Sequence, residues 1–300
     1  MADITKLTTE TNNEATKNID LLSTREIVRL INEEDKKVAY AIEKELDNVA
    51  KAIDLITENF KKGGRIIYTG AGTSGRLGVM DASELLPTYG LAPERAFGVM
   101  AGGQGAMFKA VEGAEDSKEL GIKDMKDINL TSLDSVIGVA GSGRTPYTLA
   151  TLEYANTLGC HTIAVTCNAD SDMAKVAEVS IAPVVGPEVI SGSTRMKAGT
   201  SQKMILNMIS TGVMIRSGKV YGNYMVNVQP TNEKLVKRSI NMIKVINEIT
   251  EEEASKLFEE SGRSVAIATI MHKTGVSKET AEKAFAQHDG MIRDTIKALS

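Results

Sequence analysis

The chain has 300 residues, 42% of them hydrophobic and 25% charged, with a net charge of −4 from 35 Lys and Arg against 39 Asp and Glu. That is enough apolar residue to fold without staples, so disordered and fibrous classes are excluded; the slight acidity argues against a protein that holds nucleic acid by neutralising phosphates. Aromatic residues make up only 4%, with no Trp, so a ligand must be held by hydroxyls, backbone amides and charges rather than by stacking.

The first twenty residues, MADITKLTTETNNEATKNID, are polar and acidic and have no signal-peptide pattern. No run approaches the ~18 apolar residues of a membrane helix. Two cysteines, Cys160 and Cys167, make no disulfide framework. A cytoplasmic protein is the expectation, with no membrane and no nucleic acid among its partners.

From residue 24 to residue 60 the spacing of Ile27, Leu30, Ile31, Val38, Ile42, Leu46, Val49, Ile53 and Ile56 predicts helix. Ser23-Thr24-Arg25-Glu26 offers a cap at its start and Lys61-Lys62-Gly63-Gly64 a stop. The period then changes. Short β-branched runs at 65–69, 96–100, 135–140, 161–166 and 179–183 read as strands, several of them ending in glycine-rich turns. Helical stretches are predicted between most of them, at 107–113, 147–158 and 171–177, and a long helix over 197–217. Strands alternating with helices predict an α/β fold, a doubly wound five-stranded parallel sheet covered on both faces. After Gly222 only helical patterns follow, at 231–249, 251–260, 265–272, 278–287 and 291–299. The expected organisation is an N-terminal helical segment (1–55), an α/β domain (56–222) and a small C-terminal all-helical region (223–300).

Gly70-Ala71-Gly72-Thr73-Ser74-Gly75 follows a strand and fits G-x-G-x-x-G, so a dinucleotide must be considered. That reading needs an acidic residue at the end of the next strand to hold a ribose. The next strand instead runs into Met100-Ala101-Gly102-Gly103, and Glu94 lies before it, at the wrong end. Duplication is the better clue. Gly72-Thr73-Ser74-Gly75 and Gly141-Ser142-Gly143-Arg144-Thr145 both follow strands and open helices. Glycines let amides approach an anion, hydroxyls add donors, and the helix start is partly positive. Such loops suit a phosphate monoester. Neither ends in the Lys-Ser/Thr of a nucleotide P-loop, so ATP is disfavoured. His161, His272 and His288 with the two cysteines show no metal-ligand spacing, and Ser142 has no recognisable His and Asp partners for a hydrolase triad.

Paired Ser/Thr loops on such a sheet resemble the sugar isomerase (SIS) domain, a phosphosugar-binding fold. The string Gly186-Pro187-Glu188-Val189-Ile190-Ser191-Gly192-Ser193-Thr194-Arg195-Met196-Lys197-Ala198-Gly199-Thr200 is similar to a signature shared by glucokinase regulatory protein and the N-acetylmuramic acid 6-phosphate etherases. Residues 70–77 with Asp81-Ala82-Ser83-Glu84, the run Glu112-Gly113-Ala114-Glu115-Asp116, and Gly143-Arg144-Thr145-Pro146-Tyr147 resemble the etherase branch. The likeness covers essentially the whole chain from about residue 19.

The resemblance implies a lyase that removes D-lactate from N-acetylmuramate 6-phosphate to give N-acetylglucosamine 6-phosphate in cell-wall amino-sugar recovery, acting as a homodimer with no metal or organic cofactor. It implies catalytic roles for Glu84 (proton donor) and Glu115 (assisting acid/base), with Glu112 as the rival for the second role. It implies substrate binding by Thr73, Ser74, Ser142, Gly143, Arg144, Thr145, Glu188, Ser193, Thr194, Arg195 and Lys197. Alternatives are a non-catalytic phosphosugar-binding regulator like glucokinase regulatory protein and a sugar-phosphate isomerase. The final helices, 276–299, resemble a small ubiquitin-associated-like module; a helical cap or dimer brace is the preferred reading of them.

Overall fold

The computed structural model describes residues 8–230 and 232–300; residues 1–7 of the expected N-terminal segment lie outside these. The chain divides into two units, one comprising Met1–Ser83 and Glu94–Ser210 and the other Glu84–Pro93 and Thr211–Ser300.

In the first unit, the predicted long N-terminal helix is two helices, α1 (Thr24–Glu43) and α2 (Leu46–Lys61). The break contains no Gly or Pro; the chain tightens there, with Glu45 N–H donating to Ile42 O at 2.8 Å. The expected cap is present, since Glu26 accepts from Ser23 N–H at 3.0 Å and from its hydroxyl at 2.5 Å. Five strands follow, β1 (Ile66–Gly70), β2 (Ala96–Met100), β3 (Ser135–Val139), β4 (His161–Val165) and β5 (Val179–Ile181). All pairings are parallel and the order is β2-β1-β3-β4-β5. β1 and β3 are buried along their whole length, as expected of central strands covered on both faces. Helices α3 (Gly72–Ser83), α5 (Lys118–Asp127), α6 (Pro146–Thr157) and α7 (Asp172–Val176) connect them, and α4 (Leu85–Tyr89) belongs to the second unit. One layer of core joins Ile67, Val136 and Ala164 of the sheet to Met125, Leu152, Ala155 and Met173 of the helices.

The order of the strands decides where a ligand can bind. The chain leaves β1 toward β2 on one side and returns to β3 on the other, so the loops after β1 and β3 diverge from a common crevice. Gly70 pairs with both Met100 and Val139, and Val139 with Val165. The strands therefore end level, and the two glycine-rich loops emerge side by side.

The stretch 107–113 is not helical, contrary to expectation. Gly102, Gly103 and Gly113 have φ of +85°, +69° and +73°, and these left-handed positions interrupt any helix. A short 3-10 turn covers Gln104–Met107 and another Ala114–Asp116. The helix comes later, as α5, where the Ser117 hydroxyl accepts from Leu120 N–H. α8 (Lys197–Arg216) runs from the first unit into the second.

The second unit holds α4 (Leu85–Tyr89), α9 (Glu233–Asn247), α10 (Glu251–Glu260), α11 (Val265–Thr274), α12 (Lys278–Gln287) and α13 (Ile292–Leu299). They close on Phe258, Ile243, Val265, Ile270 and Ile292, with Val226 and Val228 of the preceding segment. Among the described residues, no helix is long and apolar enough to cross a membrane.

Candidate active site

At the β1/β3 crevice lies a pocket of about 370 Å³, wholly within the first unit. Its walls are Gly72, Thr73 and Ser74 after β1, Ser142, Arg144 and Thr145 after β3, Thr194, and the carboxylates Glu10, Glu115 and Asp116. Six of the sequence-predicted binding or catalytic side chains meet here with Glu115: Thr73, Ser74, Ser142, Arg144, Thr145 and Thr194.

The loop after β3 is held in one shape by its glycine. Gly143 has φ +68°, and a Cβ there would lie 2.4 Å from Ser171 Cβ and 2.5 Å from Thr166 Oγ1, so no other residue fits without moving both. The Ser142 hydroxyl accepts from Arg144 N–H at 3.3 Å. Thr145 and Pro146 then open α6, leaving the first amides of the helix directed at the crevice. Arg144 is the telling residue. Its Nε and Nη1 are buried yet have no hydrogen-bond partner among the described residues. Buried guanidinium nitrogens left without acceptors are costly, and a ligand phosphate supplies what is missing.

Asn168, after β4, fastens a third element to this loop. Its amide donates to Gly141 O at 3.1 Å and to Thr9 Oγ1 at 3.4 Å, and its carbonyl accepts from Thr8 N–H and Thr8 Oγ1 at 3.2 and 2.9 Å. Residues 8–16 are strapped beside the signature loop by three further bonds: Ser191 Oγ to Asn12, Asn13 to Pro187 O, and Thr16 Oγ1 to Val189 O. The strap delivers Glu10 to the pocket. On the opposite side, Ala114 packs with Tyr147, Ala101 and Ala71, which sets Glu115 at the rim.

Glu115 also borders an adjoining recess of about 210 Å³ lined by Met100, Ala101, Ala106, Ala110, Val111 and Glu112. Arg76 holds its far wall by donating to Ala106 O and Met107 O at 2.7 and 2.9 Å. Glu112 lines only this recess, whereas Glu115 lines both spaces. Gly113 turns the chain between them, so they do not share a helix face.

Other expected site residues lie elsewhere. Glu188 is fully buried and caps α8, accepting from Lys197 N–H and Ala198 N–H at 2.9 Å each. Lys197 is also buried, its ammonium 2.6 Å from Glu34 of α1. Burial pushes the Glu34 carboxyl up, but the hydrogen bonds from Lys197 and Lys37 outweigh it and hold the group below its ordinary value. Neither of these signature residues lines the pocket. Ser193 and Arg195 flank Thr194 without lining the pocket, and Arg195 is exposed. Glu84 is exposed just beyond the end of α3 and lines neither space. Cys160 and Cys167 are buried and free, with burial pushing each thiol up to about 11, so they pack as small apolar residues.

Sequence reasoning missed Glu10, Asp116, Asn168 and Gln202. The last is buried and accepts from Ser74 Oγ at 2.9 Å. Asp116 directly follows Glu115 in the run already singled out, whereas Glu10, Asn168 and Gln202 reach the site through contacts distant in sequence, and only the polarity of the segment around Glu10 signalled anything.

This sheet order, with hydroxyl-rich loops at the switch point, is the architecture of a SIS domain. Residues 111–211 match the SIS domain model, and residues 48–156 match that of the glucokinase regulatory protein N-terminal SIS domain. A Bacteroides fragilis protein assigned to the phosphosugar isomerases of capsule formation shares the fold at a TM-score of 0.51, with 22% identity over 66% of this chain and 95% of that one. The chain is 58% identical to N-acetylmuramic acid 6-phosphate etherase 1 of Enterococcus faecalis over 97% of each chain. It is 55% identical to the N-acetylmuramic acid 6-phosphate etherase of Lactobacillus acidophilus over 98% of this chain and 99% of that one. The chain belongs to the N-acetylmuramic acid 6-phosphate etherase family.

Proposed function

We propose that this protein, like relatives named N-acetylmuramic acid 6-phosphate etherase, cleaves the lactyl ether of N-acetylmuramic acid 6-phosphate, and that it releases D-lactate and leaves N-acetylglucosamine 6-phosphate. The single observation that carries the reading is the pair of Arg144 guanidinium nitrogens, Nε and Nη1, buried without a partner among the described residues in the same pocket that Glu115 borders. The phosphate sits on Arg144, Ser142, Thr145 and the amides that open α6, and the sugar extends across Thr73 and Ser74 toward Glu115.

An ether resists direct hydrolysis because an alkoxide leaves poorly. The open-chain aldehyde removes the difficulty. Its carbonyl acidifies the C2 hydrogen; a base takes that proton; lactate leaves from C3 with a proton delivered to its oxygen. Water then adds to C3 of the unsaturated aldehyde and a proton returns to C2, so one water is consumed for each lactate released. Two carboxyl groups and a fixed sugar meet these demands. In this reading Glu115, which lines the pocket, exchanges protons at C2 or C3, and Glu84 is the donor to the leaving lactate.

Glu84 calls for a second copy of the chain. The twelve residues of α3 carry the backbone about 18 Å from the loop where that helix starts, so Glu84 does not reach the pocket of its own subunit. A homodimer in which Glu84 of the partner subunit closes the pocket satisfies both assignments. A cytoplasmic location accords with two free thiols and a phosphorylated substrate.

Purified protein given N-acetylmuramate 6-phosphate in 18O water tests the proposal. Lactate should appear without label, and the sugar should carry 18O at C3. Glu84→Gln and Glu115→Gln should each lose at least about 100-fold in kcat with folding intact, and Glu112→Gln should stay within a few-fold. Folded protein that binds the sugar phosphate and releases no lactate would leave a binding protein instead, and a ketose product would make it an isomerase.

A further inference from the structure

Glu10 is a third carboxylate in the pocket, and the proton chemistry leaves it unused. It makes no hydrogen bond and no ion pair among the described residues, yet it is not a loose surface group. The two residues before it are bonded to Asn168, which also bonds the carbonyl of Gly141 at the start of the phosphate loop. Its backbone is therefore fixed with respect to Ser142 and Arg144. The carboxylate itself lies beside Gly192, 3.7 Å from where a Cβ on that glycine would be. With Thr194 next to Gly141, strap and signature loop form one continuous edge of the pocket.

The chemistry of the remaining walls shows what Glu10 can hold. Thr73, Ser74, Ser142, Arg144 and Thr145 are donors or hydroxyls suited to the phosphate and its neighbours. A carboxylate accepts only. It repels phosphate and binds hydroxyl hydrogens, and its two oxygens fit two adjacent hydroxyls. A substrate anchored by its phosphate at one end, with C2 and C3 at Glu115, presents C4 and C5 in between. The oxygen on C5 distinguishes two forms of the sugar. In the ring it is an ether and has no hydrogen to donate; in the open chain it is a hydroxyl beside that of C4.

We infer that Glu10 is a substrate-binding residue that accepts from the C4 and C5 hydroxyls and thereby selects the open-chain sugar phosphate over its ring form. This rests on the etherase reading for the identity of the substrate, since elimination needs the free aldehyde. The strap residues Thr8 and Thr9 and the clasp Asn168 are positioning residues for it.

Calorimetry with three stable probes tests the assignment: 2-acetamido-2-deoxyglucitol 6-phosphate, which is always open, the methyl glycoside of N-acetylglucosamine 6-phosphate, which is locked as a ring, and inorganic phosphate. The wild-type protein should prefer the alditol. Glu10→Gln and Glu10→Ala, at an exposed position where folding is not at risk, should weaken alditol binding at least about tenfold. The ring-locked sugar, which keeps only the C4 hydroxyl of the pair, should weaken clearly less, and phosphate should bind as before. In turnover, the same variants should raise KM for N-acetylmuramate 6-phosphate. Equal weakening for all three probes would reduce the strap to a structural brace and overturn the inference, as would unchanged affinity throughout or a wild-type preference for the ring. Lactate release by the wild-type protein is read separately: its absence, with the alditol preference intact, would sink the etherase reaction and leave Glu10 as a selector of open-chain sugars.

Discussion

The buried ion pair under the signature loop permits a sharp test. Lys197 and Glu34 are 2.6 Å apart with side chains 1% and 5% exposed. Lys197→Met leaves the Glu34 carboxylate buried with one partner fewer, and breaking such a pair costs about 3–5 kcal/mol. Glu34 keeps Lys37 on its other oxygen at 2.5 Å, and Lys37 is 59% exposed, so the cost falls at the lower end, about 3 kcal/mol. The double variant Glu34→Leu/Lys197→Met removes both charges and fills the space with apolar atoms. It should regain most of that stability, since well-packed hydrophobic replacements of buried pairs are often neutral or better. Urea unfolding of the four proteins gives the energies, and lactate release gives kcat/KM. If the pair acts only by holding α8 and the loop before it, activity should fall in the single variant and recover in the double. A double variant that is fully folded but as inactive as Lys197→Met would refute the reasoning and return Lys197 to the substrate.

Two further outcomes are expected. Arg144→Met should weaken binding of the sugar phosphate and of inorganic phosphate alike, by about 10- to 100-fold, with Arg144→Lys intermediate because it cannot make the forked contact; calorimetry with both ligands checks this. Acid should destabilise the first unit through Asp134, which Arg65 contacts at 2.7 Å. Burial pushes this carboxyl up, but the bonds from Arg65 and the Thr131 amide outweigh it and hold the group below its ordinary value. Its stabilisation is therefore complete above the unfolded pKa near ~4 and lost as pH falls through the lower folded value. Asp134→Asn should be less stable at neutral pH and should flatten the decline below about pH 4.

The strands were legible because each is a short run rich in β-branched and apolar residues, several of them ended by glycine, and the helices of the second unit because their apolar spacing is regular. The pattern failed where periodicity and backbone geometry disagree. Residues 107–113 have helical composition, but glycines at 102, 103 and 113 take left-handed φ; α5 went unseen because its charged run, KELGIKDMKD, has a weak apolar stripe. In the site, the loops after β1 and β3 announce themselves by residue type. Glu188 and Lys197 also look like ligand-binding residues, yet their partners are backbone amides of α8 and a glutamate on α1, contacts that no local spacing reveals. Glu10 is the converse, a pocket residue that only the polarity of its segment hints at.

The clasp at Asn168 also orders events as the chain folds. Its bonds to Thr8 span 160 residues of sequence, and contacts of such separation form late because loop closure precedes any gain from them. A ribosome that makes the strap first must release it unseated while β1, β3 and β4 assemble in turn. The earliest-made wall of the pocket is thus the last to be put in place. A nascent chain can hold a finished sheet, both phosphate loops and Glu115 before Glu10 is seated beside them.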